Sequence, residues 1–215
     1  MADSNSSTEV LLAFRSAWIA TARDYTARRL NSERCLQAHL FFHLKKKLPS
    51  EYSIFVEATI KIPNQSRIAI DMIIYKEDTV FSAIEIKFSP KGQSRLAGIR
   101  KDILSLSNIR NRRGLNDRVK IEIARYRNDD AGLQSLKVDR TCKLIFAAIG
   151  KADGKRLNET QFWPAHAPKS GRWMSKKKCP GQFGVALTHT DEAGGAKPLF
   201  FGPPFDRLNI REVAS

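Results

Sequence analysis

The chain has 215 residues, 42 % of them hydrophobic, and its 37 Lys and Arg against 22 Asp and Glu give a formal net charge of +15. That is enough apolar material for one sizeable core, and the charge imbalance favours a polyanionic partner through long-range attraction and counterion release. No window approaches the length of an uncharged membrane span, so no membrane partner is expected; Cys35, Cys142 and Cys179 are too scattered for a disulfide framework or a CxxC zinc site.

The opening MADSNSSTEVLL has no basic stretch before an apolar run, so it does not read as a secretory signal, and the cytoplasm is the default location. Residues 2 to 8 are polar and expected to fray. From Val10 onward, Leu11, Phe14, Trp18, Ala22 and Tyr25 keep a helical spacing. A second helix is predicted over about Ser32 to Leu48, where Leu36, Leu40, Leu44 and Leu48 recur every fourth residue. Asn31 either caps it or marks a bend. Pro49 stops it, because a proline drives the preceding residue out of the helical region.

The apolar period then changes to two. Ile54, Val56, Ala58, Ile60 and Ile62 alternate with Phe55, Glu57, Thr59 and Lys61, which predicts a strand with one buried face. Pro63-Asn64-Gln65-Ser66 signals a turn, a second strand covers about Arg67 to Tyr75, Lys76-Glu77-Asp78 turns again, and a third strand covers about Thr79 to Phe88. Short turns between three successive strands predict an antiparallel meander. A helix is expected over about Gln93 to Ile109 with the stripe Leu96, Ile99, Ile103 and Leu106. Residues 110 to 140 offer no clear pattern. Lys143 to Ile149, KLIFAAI, reads as a buried strand parallel to a core neighbour, and Phe183 to Thr188 and Leu199-Phe200-Phe201 as later strands. The class is α/β or α+β, as one domain over 1–215 with its core at about 32–149 and a basic extension at 150–215.

Within this frame the acidic residues are informative. Asp71 interrupts the apolar strand Ala69 to Tyr75 and is expected to point away from Ile70, Met72 and Ile74. On the next strand Glu85 and Lys87 share one face, while Ile84, Ile86 and Phe88 share the other. Aspartate is a poor strand former and is costly to bury unpaired. A divalent ion between Asp71 and Glu85, with the backbone carbonyl of Ile86 as a further ligand, would offset that cost. Carboxylate-held Mg²⁺ beside a lysine is what phosphodiester hydrolysis needs: an activated water and screening of the charge that builds on the phosphate. Lys87 would orient or deprotonate that water, or stabilise the transition state as a point charge. The bland reading is a structural Asp–Lys ion pair. On a helical wheel Glu33 and Gln37 fall on the leucine stripe of the second helix, so both are candidates to reach the same centre; alternatively Glu33 only favours the helix dipole.

The run IAIDMIIYKEDTVFSAIEIKFSP resembles the core of the PD-(D/E)XK nuclease superfamily, which has the restriction-endonuclease-like fold. Asp71 matches the acid of the first strand, Glu85-Ile86-Lys87 the acid-x-Lys of the next, and Glu33 the acid that many members carry on the preceding helix. The likeness covers just over half the chain. It departs at Ile70, where the motif's proline would stand, and at Ala97, where repair-type members carry a tyrosine four residues after a glutamine, here Gln93. Lys101-Asp102 is more like the defence- or restriction-associated relatives, with Asp102 supporting a basic residue of the site. The resemblance implies a Mg²⁺-dependent nuclease, with Mn²⁺ able to substitute, acting on DNA rather than RNA, with Asp71, Glu85, Lys87 and Glu33 in its centre.

Glu57 is either a further ligand or part of a solvated strand face. His39 and His43 stand one turn apart, a nonspecific spacing without an acidic partner. Residues 88 to 120 hold nine Lys or Arg against Asp102 and Asp117. Arg95, Arg100, Lys101, Arg110, Arg112 and Arg113 in this tract, and Lys176, Lys177 and Lys178 in a second one near Trp163 and Trp173, are candidate phosphate contacts, as is Gln37. The competing readings are a nucleic-acid-binding module that kept the fold without catalysis, an RNA-directed nuclease, and a basic ribonucleoprotein component. The strand-borne acids give the last no support. A homodimer would supply two identical centres for a double-strand cut.

Overall fold

The computed structural model describes residues 4–61, 68–89, 101–103, 105, 106, 109, 119–122, 134–151, 183–190, 196–206 and 208. Two helices come first, α1 (Ser4–Thr26) and α2 (Glu33–Lys47). The expected fraying of residues 2 to 8 does not extend to 4–8, which are helical. Ser7 is buried there, and its hydroxyl bonds that of Thr141. The cap of α2 is Ser32 rather than Asn31: its Oγ accepts from the Cys35 N–H at 3.2 Å. Leu36, Leu40 and Leu44 are fully buried, and Leu48 closes the helix with its N–H on the Leu44 carbonyl at 2.8 Å, just before Pro49.

The strands are β1 (Tyr52–Lys61), β2 (Ile68–Lys76), β3 (Thr79–Ser89), β4 (Val119–Glu122), β5 (Gln134–Lys151), β6 (Phe183–Thr190) and β7 (Ala196–Phe201), followed by the short helix α3 (Pro203–Asp206). β1, β2 and β3 form the predicted antiparallel meander, turned between β2 and β3 through Glu77 in the left-handed region at φ 54°. The predicted buried strand at 143–149 lies parallel to β3, and β6 lies parallel to β5 on its other side. β5 starts earlier than its apolar run, at Gln134. Its first residues pair antiparallel with β4, so a polar stretch becomes strand through its neighbours.

The sheet order is β3-β2-β1-β4-β5-β6-β7, with a further pairing of β3 to β5. One face packs on α1 and α2 through Phe14, Trp18, Leu36, Leu40, Met72, Ile74, Ile84, Ile86 and Ile145. The other carries Ala58, Ile60, Ile70, Ile73, Phe146 and Val185 against Ile103, Leu106 and Ile109. Those three belong to the predicted helix over 93–109, of which residues 101–103, 105, 106 and 109 are described and helical; Leu96 and Ile99 lie outside the described residues. Helices flanking a mixed sheet form a restriction-endonuclease-like α+β arrangement.

The face alternation expected along β1 and β2 is interrupted. Ile54 packs on the α1–α2 side, but Ala58 and Ile60 pack on the opposite side. Likewise Met72 and Ile74 face α1 and α2, while Ile70 faces away with Ile73. Ile70 therefore does not share a face with Met72 and Ile74, as strict period two would require. The β1–β2 ladder is registered at Val56↔Met72 and Ala58↔Ile70, with Glu57 and Asp71 between those pairs. Glu57 has φ 54°, a left-handed conformation that rotates the chain and exchanges its faces. The kink thus falls on the residue opposite Asp71.

Candidate active site

β2 and β3 bring the acidic residues together. The β2–β3 ladder is registered as far as Met72↔Ile84, which leaves Asp71 and Glu85 next along the two strands. There the side chain of Asp71 takes over from the backbone: its Oδ2 accepts the Ile86 N–H at 2.6 Å. Beyond this point β3 is held by β5, with Glu85↔Phe146 and Lys87↔Ala148 in register. Glu85 is 6 % exposed. Burial, the adjacent Asp71 charge and a hydrogen bond between the two carboxyl groups push the Glu85 carboxyl up to about 10, with Asp102 adding to the rise and Lys87 opposing it. Glu85 therefore carries its proton at neutral pH beside the Asp71 carboxyl group.

Lys87 lies between two further acids, with its Nζ 3.3 Å from Asp102 Oδ2 and 3.8 Å from Glu33 Oε2. Burial lowers its pKa, but the charges of Asp102 and Glu33 outweigh that and raise it, so this lysine stays an ammonium at neutral pH. Burial likewise raises the Asp102 carboxyl against the opposing pull of Lys87. Glu33, at the start of α2, accepts the Phe88 N–H at 3.1 Å, and Gln37 one turn later donates from Nε2 to the Asp71 carbonyl at 3.1 Å. The acid and the amide of α2 therefore both grip the ends of the two site strands.

The structure thus gathers Asp71, Glu85, Lys87, Glu33 and Gln37, with Asp102 supporting Lys87. Ile86 contributes its N–H to this group through Asp71. Glu57 is exposed, and its backbone conformation is what bends the strand at the site. Lys101 is exposed on the helix, while Asp102 beside it turns inward to Lys87. Arg95, Arg100, Arg110, Arg112, Arg113, Lys176, Lys177 and Lys178 lie outside the described residues, as do Gln93, Trp163 and Trp173.

The chemistry of the donors fits a hard divalent cation at Asp71 and Glu85. Such an ion would displace the Glu85 proton, with the two carboxyl groups as its ligands. A second group of donors includes the histidine pair of α2. His39 and His43 do have an acidic partner, Asp24 near the end of α1; one ligand atom of each lies within 4.8 Å of the others, and the three could hold a divalent metal. No motif on α2 signals this, because the acid comes from another helix.

No protein family and no curated protein matches the chain. One solved structure similar to it is NucC from P. aeruginosa in its cAAA-bound form, at 12 % identity and a TM-score of 0.41, covering 91 % of this chain and 85 % of that one. The chemistry of the site therefore rests on its own residues. No described helix is long and apolar enough to cross a membrane.

Proposed function

We propose that this chain is a Mg²⁺-dependent nuclease that hydrolyses phosphodiester bonds, acting on DNA as an endonuclease, with Mn²⁺ able to replace Mg²⁺. The observation that carries this reading is the Asp71–Glu85 pair: two carboxyl groups in contact, one almost fully buried and held protonated, with the Lys87 ammonium on the same strand. Asp71 and Glu85, with the Ile86 carbonyl, are assigned as the ligands, and Glu33 as an additional one. The bound ion supplies an activated water and screens the charge developing on the phosphate.

The remaining work falls to the chain itself. Asp71 is oriented from both sides, by the Ile86 N–H on Oδ2 and by Gln37 on its carbonyl. Lys87, kept charged by Asp102 and Glu33, positions the attacking water and stabilises the extra negative charge of the transition state. A lysine so paired is a poor general base. The basic residues at 91–120 and 169–178 are assigned to phosphate contacts along the substrate, consistent with the formal charge of +15.

The deciding experiment incubates the purified protein with circular and linear DNA and with RNA, in Mg²⁺, Mn²⁺ or EDTA. Metal-dependent nicking or linearisation of circular DNA is expected. Binding without cleavage in every metal would leave a silent binding module, and cleavage of RNA alone would move the substrate class.

A further inference from the structure

The Asp24 cluster lies on the helical layer and takes no part in the chemistry assigned above. His39 and His43 are four residues apart on α2 and so project to the same side of it. His39 Nδ1 lies 2.9 Å and His43 Nε2 2.7 Å from the same atom, Asp24 Oδ2. The other carboxylate oxygen, Oδ1, is taken by Arg29 Nη1 at 3.0 Å. Asp24 is 9 % exposed, and the His39 and His43 side chains are 31 % and 20 % exposed. The group is thus walled by protein yet open to small solutes along the imidazoles.

We propose that Asp24 Oδ2, His39 Nδ1 and His43 Nε2 form a binding site for a late first-row divalent cation of the Zn²⁺ type, which pins the C-terminal turn of α1 to α2. Two imidazoles and one carboxylate make the borderline N/N/O donor set that selects Zn²⁺ over Mg²⁺, whereas Asp71 and Glu85 offer oxygen alone. Three protein ligands leave a fourth position for water. Bonds of about 2.0–2.1 Å to an ion place tetrahedral ligand atoms about 3.4 Å apart, so the two Asp24–histidine contacts need open by only about 0.5–0.7 Å. The Arg29 contact at Oδ1 leaves Oδ2 as the ligating oxygen and fixes the carboxylate plane, the role that supporting hydrogen bonds play around metal ligands. The same helix carries Glu33 and Gln37 to the ends of β2 and β3, so an ion here would set the position of α2 at the nuclease site.

The test uses the full-length protein stripped with chelator and dialysed, titrated with Zn²⁺ and, as a spectroscopic substitute, Co²⁺. The parent is expected to take up Zn²⁺ with a rise in melting temperature that persists in excess Mg²⁺, and Co²⁺ with the visible absorption of a four-coordinate nitrogen and oxygen site. Glu85→Gln keeps both signals, which separates this site from the carboxylate pair. His43→Asn and His39→Gln weaken Zn²⁺ by at least about tenfold, the scale of losing one element of a metal site. Zn²⁺ binding that disappears in Glu85→Gln, or that is as tight in both histidine variants as in the parent, overturns the proposal. Should the histidine variants fail to fold, X-ray absorption on the Zn²⁺-loaded parent decides: two imidazoles in the first sphere support the site, and an all-oxygen sphere overturns it.

Discussion

Asp71 Oδ2 accepts the Ile86 N–H at 2.6 Å, so the side chain of one strand completes the backbone of the next at the point where their ladder ends. The same carboxylate faces Glu85, which burial first and the Asp71 charge second keep protonated. Asp71 is therefore both a hinge of the fold and a ligand of the assigned centre, and its two roles respond differently to substitution. Asp71→Asn retains an acceptor oxygen for Ile86 but loses the charge. Metal-dependent cleavage is expected to fall by at least about a hundredfold, the loss typical of one charged contributor to such a transition state. DNA binding should hold or tighten, and melting in EDTA should be unchanged or higher, because a carboxylate pair has been relieved. A large drop in melting temperature, with residual activity following the folded fraction, would recast the residue as structural.

A pH dependence follows from Glu85. Its carboxyl ordinarily titrates near 4.5 and is raised to about 10 in the fold. The folded state therefore binds the extra proton, and the stability this confers is full below about 4.5 and declines as pH rises towards 10. Metal-free protein should lose melting temperature between about pH 6 and pH 9. Glu85→Gln should flatten that slope, because its amide cannot titrate. Mg²⁺ should also flatten it by taking the place of the proton, so melts with and without Mg²⁺ across this range check the assignment. An unchanged slope in Glu85→Gln would place the titrating group elsewhere.

Asp102 pairs with Lys87 and so acts through it, which makes it a positioning residue. Asp102→Asn should lower turnover about 10- to 100-fold, the scale seen when supporting partners of a site are removed. Since its charge helps hold Lys87 protonated, the alkaline limb of the rate profile should move to lower pH. Loss of activity without movement of that limb would mean that Asp102 supports only the packing of its helix.

Glu57 provides a test of the kink. Valine is a better strand former than glutamate by propensity, yet it is poorly tolerated at φ 54°. Glu57→Val should therefore destabilise the protein by about 1–3 kcal/mol, and Glu57→Gly should be neutral or stabilising. Denaturant melts of the two variants distinguish this from a β-propensity effect, which would rank them in the opposite order.

Much of the fold was legible in the sequence because its signals are local. Leucines at every fourth position define α2, apolar alternation and short turns define the meander, and the apolar run at 143–149 marks the central parallel strand. Neighbouring strands joined by a short turn also bring Asp71 near Glu85 without any knowledge of the rest. Three features needed the tertiary structure. The exchange of faces at Glu57 and Asp71 depends on one backbone angle, which residue type does not announce when the residue is glutamate. β4 and the first part of β5 carry only short apolar alternations among charged residues, and they pair with each other and with β1 and β3. Asp24 meets His39 and His43 across separate helices whose packing is set by the whole core, and the same packing makes Lys87 the basic residue that Asp102 supports. Periodicity determines how a segment folds, whereas which side chains meet depends on how the segments pack, and in this protein that packing assembles the ion-pair network around Lys87 and the Asp–His–His cluster.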